Sequence, residues 1–318
     1  MKIIAAFAVG FALAGLISTA PAQAQATRTF VSPTGSDAAT CTLAAPCRTF
    51  AAAYVLTNAG GEIAVLGTAG YGTLTINKAI SIVNGGGFEA GIAVPSGGIG
   101  ITINAGANDA VSLRGLSIEG GGIGQTGIQF SSGASLTVEN CVIRHFTQYG
   151  IDLVPNASSS LLLSNSLVAD NGGTGIIGVP SGSGAVTVVF DNVKVVNNNG
   201  NGIYVDGTSS TGTVNASINN SLASGNGSGI GAVGFYVGSN PGKAPTTMTV
   251  SHSVAVNNGI GFYAQNSTGA ILRITQSTVT GNASGWGSIG GGILASYGDN
   301  SMDGNGANTG SLTTVVKQ

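Results

Sequence analysis

Six polar residues, Asn140, Asn165, Asn192, Asn220, His252 and Gln276, recur along the chain in the same local setting. Two positions before them stand Val138, Leu163, Phe190, Ile218, Val250 and Ile274. Three positions after them stand Ile143, Val168, Val195, Ala223, Ala255 and Val279. Six positions after them stand Asn171, Asn198, Asn226, Asn258 and Asn282, with Phe146 as the exception. Each unit then closes on a glycine and an apolar residue: GIDL at 150, GIIG at 175, GIYV at 202, GFYV at 234, GFYA at 261 and GILA at 292. Alternation of period two on both sides of a polar residue is the pattern of short strands. Every unit is therefore three short strands separated by two polar corners, repeated at a solenoid spacing.

Three strands per turn, each parallel to its counterpart one turn away, build a parallel β-helix. Asparagine suits the corners because its short amide tolerates bends that strain other residues and satisfies backbone groups left unpaired there. Stacked about 4.8 Å apart, successive asparagine amides at the corners can hydrogen-bond to one another along the solenoid. His252 and Gln276 keep donor and acceptor capacity in the Asn140 column. A leucine-rich repeat would need helix-compatible connectors, whereas these are Gly, Ser, Asn and Thr; the Gly-Gly-x-Gly-x-Asp of a calcium-binding roll is absent. The earlier segments GEIAVL at 61, GTLTINKAISIV at 72 and AVSLRGLSIEG at 110 keep the cadence, with Gly115 in the asparagine position. Residues 49–58 read as a short helix whose Phe50 and Tyr54 cover the open first coil. A strand near Leu312 to Val316 is expected at the far end.

The N-terminus, MKIIAAFAVGFALAGLISTAPAQAQA, has Lys2, an apolar run and overlapping small-x-small sites. It reads as a secretory signal cut after Ala24 or Ala26. The run is short for a bilayer span, so the expectation is a secreted or periplasmic protein with no membrane insertion after cleavage. With 54 glycines, 7% charged residues, a net charge of -2 and no basic cluster, the chain lacks the electrostatic footprint of a nucleic-acid partner. Cys41 and Cys47 in CTLAAPC suit a disulfide in an oxidising compartment, and two thiols without a neighbouring His make a poor zinc site. Cys141 reads as an unreactive free thiol. The expected division is 1–26 signal peptide, 27–60 N-terminal disulfide loop and capping helix, and 61–318 β-helix.

The segments RTFVSPTGSDAATCTLAAPCRTFAAA, GGEIAVLGTAGYGTLTINKAISIVN and NAGANDAVSLRGLSIEGGG, followed by the asparagine coils, resemble the exported right-handed parallel β-helix repeat proteins of bacteria in the pectin-lyase-like superfamily. The resemblance spans nearly all the mature chain. It implies an all-β, right-handed parallel β-helix with three strands per coil and a short N-terminal capping helix. It implies no single activity, because that superfamily mixes polysaccharide lyases, hydrolases, tailspikes and adhesins. Its lyases resemble one another in acidic calcium clusters with an Arg or Lys base, and its hydrolases in Asn-Thr-Asp, Asp-Asp and Gly-His-Gly motifs; none of these motifs occurs here.

The catalytic candidates are Arg144, His145, Asp152 and Asp170. Column alignment also sets Glu119 beside Arg144 and Arg114 beside Glu139, outward pairs worth roughly 0–1 kcal/mol that mostly set register. A surface ladder is the preferred reading of these charges. The variable position of the closing strand runs Asp152, Ile177, Tyr204, Tyr236, Tyr263 and Leu294, an outward stripe with three successive tyrosines. Asp206 and Gln265 lie two residues beyond Tyr204 and Tyr263. Aromatic rings with polar neighbours can stack on sugar faces, although stacked tyrosines also stabilise a sheet by themselves. The expected function is an exported, non-catalytic solenoid presenting this polar and aromatic surface to polysaccharide or cell-envelope glycan, with no cofactor. The alternative is a polysaccharide lyase or glycoside hydrolase built on Arg144, His145, Asp152 and Asp170, with calcium entering only in the lyase version.

Overall fold

The computed structural model describes residues 26–227 and 231–316. The expected signal segment lies outside the described residues except for Ala26. The chain winds into a parallel β-solenoid of about ten turns, with three sheets running its length. One sheet has twelve strands, from Ala26–Val31 to Leu312–Thr314. The second has nine, from Ala69–Gly70 to Thr278–Thr280, and the third has nine, from Leu74–Ile76 to Ser284–Ile289. In the middle coils the chain visits the twelve-stranded, second and third sheets in that order, so each strand pairs in parallel with its counterpart one coil away.

The apolar columns of the sequence are the core columns of the solenoid. In the twelve-stranded sheet Leu113, Val138, Leu163, Phe190, Ile218, Val250 and Ile274 pair in order. In the second, Ile118, Ile143, Val168, Val195, Ala223, Ala255 and Val279 do the same. Both columns are buried, and burial of each large aliphatic side chain contributes about 1.5–3 kcal/mol. The third sheet supplies Ile128, Ile151, Ile176, Ile203, Phe235, Phe262 and Trp286. This column changes from aliphatic to aromatic toward the C-terminal end.

The first corner explains the leading asparagine column. Asn140, Asn165, Asn192, Asn220, His252 and Gln276 all have positive φ, between 47° and 54°. This is the left-handed region, where asparagine is enriched and β-branched residues are strained. Among the described residues this column has one amide-to-amide hydrogen bond, Asn192 Nδ2 to Asn165 Oδ1 at 2.8 Å. The continuous ladder of amides expected at the corners is present in the second corner. Asn171, Asn198, Asn226, Asn258 and Asn282 each donate from Nδ2 to the Oδ1 of the next, at 2.8–3.0 Å, and the row ends on Asn305 as acceptor. The reason is orientation: the first column turns its side chains to the surface, and the second turns them inward, where no water competes. Phe146, the exception in the pattern, donates its backbone N–H to Asn171 Oδ1 and so begins the ladder.

The ladder also accounts for the glycine that opens each closing strand. A Cβ on Gly175 would lie 2.5 Å from Val195 Cγ1 and 2.8 Å from Asn198 Nδ2. A Cβ on Gly202 would meet Gly234 O at 2.7 Å and Asn226 Nδ2 at 2.9 Å. The amides occupy the space a side chain would need.

Three boundaries depart from the sequence reading. The helix is Phe50–Leu56 rather than 49–58, because Thr49 serves as its N-cap and accepts from Ala52 N at 3.2 Å. At the other end Thr57 already begins the strand Thr57–Val65, and its hydroxyl donates to Ala53 O at 2.7 Å. Buried Phe50 packs against Tyr71 with ring centroids 5.1 Å apart, and half-buried Tyr54 lies beside it on the same short helix. Residues Ala26–Val31 pair with Thr57–Val65, so part of the 27–60 segment is itself the first strand of the long sheet. The GILA motif at 292 belongs to the twelve-stranded sheet: Leu294 pairs with Leu272 and is fully buried. Gly290 and Gly291, both with positive φ, end the third-sheet strand first, and that strand is Ser284–Ile289. The residue across from Tyr263 is therefore Gly287, not Leu294.

Cys41 and Cys47 form a disulfide with Cα atoms 4.6 Å apart. Cys141 is a buried free thiol that donates to the Glu139 carbonyl at 3.3 Å and accepts from Leu116 N at 3.4 Å. Burial pushes this thiol up from 9.0 to about 11, against the lowering effect of those backbone hydrogen bonds. Its folded pKa lies above its unfolded one, so the stabilisation it contributes is present below pH 9 and is lost as pH rises toward 11. The loss is expected to reach about 2–3 kcal/mol. Urea midpoints across that interval should fall further for the natural chain than for Cys141→Ser.

Candidate functional site

Two groups of outward residues stand apart from the structural ladders. The first is the charge cluster around the second corner. Glu119 accepts from Arg144 Nε at 2.9 Å through Oε2, and its Oε1 lies 2.7 Å from His145 Nδ1. His145 Nε2 lies 3.8 Å from Asp170 Oδ2. His145 and Asp170 hold the same left-handed corner position one coil apart, with φ of 60° and 55°. Burial alone would raise the Glu119 carboxyl, but the Gly121 N–H, His145 and Arg144 together hold it below the usual carboxylate range. The cluster borders an open depression of about 640 Å³ that also takes in Gly121, Gly122 and Thr147.

Thus Arg144, Glu119, His145 and Asp170 form a chain: Glu119 joins Arg144 to His145, and His145 reaches on to Asp170. Asp152 is not part of that hydrogen-bonded group. It sits on Tyr149–Leu153 of the third sheet, where Gln129 Nε2 donates to its Oδ2 at 3.1 Å. Burial raises its pKa, partly offset by the Gln129 hydrogen bond. The Arg114–Glu139 pair is present at 3.8 Å and, like the Arg144–Glu119 pair, is half-exposed. Among the described residues no three His, Cys, Asp or Glu side chains are grouped to hold a metal ion.

The second group is the tyrosine stripe. Asp152, Ile177, Tyr204, Tyr236 and Tyr263 pair in order along the third sheet, and Gly287 follows. The three rings are not equivalent. Tyr204 and Tyr236 stack 4.1 Å apart at 19°, so each covers a face of the other. Tyr263 is turned 73° from Tyr236, with centroids 5.3 Å apart. It can turn because Gly287 has no side chain: a Cβ there would lie 2.7 Å from Tyr263 Cδ2 and Cε2. Tyr263 therefore lies across a bare glycine, and the ring borders a cleft of about 420 Å³ with Gly259, Ile260, Ser284 and Thr309.

Asp206 is buried, with its carboxylate engaged from within. Tyr204 Oη donates to Oδ2, and Thr208 N donates to Oδ1 at 2.8 Å. It fixes the Tyr204 ring rather than facing solvent. Burial first and Asp206 second raise the Tyr204 hydroxyl, and burial pushes Tyr236 up to about 12, so both stay neutral at ordinary pH. Gln265, half-buried at the end of Ile260–Gln265, pairs with Gly238 and Ile289. The role of Gly287 was missed in the sequence because GILA imitates the preceding closing strands. The preceding GWGSIGG run, with glycines on both sides of Trp286, carries the signal that could have found it.

Comparison with known proteins agrees with this architecture. Residues 65–223, half of the chain, match the family described as right handed beta helix region. A solved alginate lyase from Paenibacillus sp. str. FPU-7 superposes with a TM-score of 0.64 at 14% identity, over 91% of this chain and 100% of that one. Pectate lyase Pel9A superposes with a TM-score of 0.58 at 19% identity, over 91% of this chain and 77% of that one. At these identities the likeness is one of fold. No curated protein matches the sequence.

Proposed function

This chain belongs to the right-handed β-helix family, and from that premise we propose that it is an exported glycan-binding solenoid that holds polysaccharide without transforming it. The observation that carries the reading is Tyr263, turned out of the tyrosine stack and laid across Gly287 beside a cleft. Tyr204, Tyr236 and the buried Asp206 form a rigid pedestal next to it. A preorganised aromatic face with hydroxyl neighbours is suited to a sugar, which has an apolar face and a polar rim. Two of the similar solved structures are by name an alginate lyase and a pectate lyase, which is consistent with a polysaccharide partner.

The charge cluster supports binding over catalysis. Abstraction of a proton beside a sugar carboxylate needs a free base with cationic support. Here the Arg144 guanidinium is already paired with Glu119, and Asp170 adds a further carboxylate beside His145. Asp152 is held separately by Gln129.

Affinity electrophoresis against a polysaccharide panel tests the reading. Tyr263→Ala is expected to weaken binding at least about tenfold, the equivalent of 1.4 kcal/mol. The triple variant Tyr204→Ala, Tyr236→Ala, Tyr263→Ala should abolish it. Retention survived by the triple variant would remove this face from the function, and unsaturated products released from uronate polymers would replace binding with lyase activity.

A further inference from the structure

We infer that the sugar accepted at Tyr263 is an uncharged pyranose rather than a uronate; this rests on the glycan-binding reading above. No charged residue lines the described part of the cleft. What the cleft offers is an aromatic surface, backbone, and two kinds of hydroxyl. Ser284 Oγ already donates to Trp286 O at 2.9 Å, so it meets a ligand as an acceptor. Tyr263 Oη has no hydrogen-bond partner among the described residues, so it can both donate and accept. Donors and acceptors of this kind match neutral sugar hydroxyls.

A carboxylate on the same ring would be poorly served. Removing it from water without a cation carries a large desolvation cost, and the strong partners for such a group are charge-assisted donors of the Arg or Lys type. Among the described residues no Arg or Lys lines the cleft, and Arg273 lies on the twelve-stranded sheet and not the third. The volume, about 420 Å³, lies in the range of small-molecule clefts and leaves room for one or two pyranose rings.

Titration calorimetry of the full chain with cello-, manno- and xylo-oligosaccharides, set against oligogalacturonate and oligoalginate of equal length, tests this. At least one neutral series is expected to bind ten or more times tighter than either uronate series, about 1.4 kcal/mol. That binding should be lost in Tyr263→Ala and should change little with added salt. Ser284→Lys should shift the preference toward uronates, by supplying the missing cation. Uronate binding that equals or exceeds neutral binding and disappears in Tyr263→Ala would overturn the inference while leaving the tyrosine face in place. Absence of any binding sensitive to Tyr263→Ala would overturn both.

Discussion

Alanine at Asn226 is expected to destabilise the solenoid by about 3–5 kcal/mol, among the largest effects a single polar residue can have. Asn226 is fully buried and uses its whole amide. Nδ2 donates to Asn258 Oδ1 at 3.0 Å and to Val195 O at 2.9 Å. Oδ1 accepts from Asn198 N at 3.2 Å and from Asn198 Nδ2 at 2.9 Å. Truncation removes all four contacts and leaves the partner groups in a dry interior, each carrying a desolvation cost of about 1–3 kcal/mol. Urea denaturation followed by circular dichroism measures the change. A loss below about 1 kcal/mol, typical of a water-satisfied surface amide, would show that the ladder is peripheral to stability. Asn226→Asp separates shape from chemistry: it keeps the volume, loses both donors and buries a carboxylate, so its defect should ease as pH falls and the carboxyl is protonated.

The second large effect is expected at Phe235, where alanine should cost about 3–5 kcal/mol by loss of buried area and creation of a cavity. Phe235 is fully buried and stacks on Phe262 at 5.1 Å and 13°. The next residue along the strand, Tyr236, points to the opposite face and stacks on Tyr204. A cavity under this strand would loosen the pedestal beside Tyr263, so glycan retention should fall together with the thermal midpoint. Phe235→Leu leaves less empty volume and should cost less than half as much. Equal losses for the two variants would mean that the aromatic stack, not the filled volume, is what the position requires.

The fold was legible because its pattern is redundant. One misread coil hardly matters when five others repeat the same apolar positions, and the pairing of Val138 with Leu163 and of Ile143 with Val168 follows directly from the alignment. Orientation was harder to read. Asn192 and Asn198 are the same residue type six positions apart, yet one sits at a left-handed surface bend and the other hydrogen-bonds inside the solenoid. Composition alone does not separate them; the glycine that must make room for the inner amide does. The site was half legible. The tyrosine column follows from strand periodicity, as do the Glu119–Arg144 and Arg114–Glu139 pairs. Ring orientation depends on what lies one coil further on, and there the GILA segment suggested Leu294 where the chain places Gly287. Asp206 looked exposed by alternation, but Tyr204 and Thr208 hold it inside.

The inner asparagines all point one way: from Asn171 to Asn282 each Nδ2 reaches the Oδ1 of its C-terminal neighbour, and Asn305 closes the row as acceptor. Such a row has a head and a tail. Rotating one amide by half a turn would set donor against donor on one side and acceptor against acceptor on the other, so the members must hold a common sense or fail together. This makes the corner a vectorial element. Lengthening or shortening the protein is therefore tolerable only in whole coils that carry their own amide in the same sense, whereas extra residues between coils belong in the loops that return to the twelve-stranded sheet.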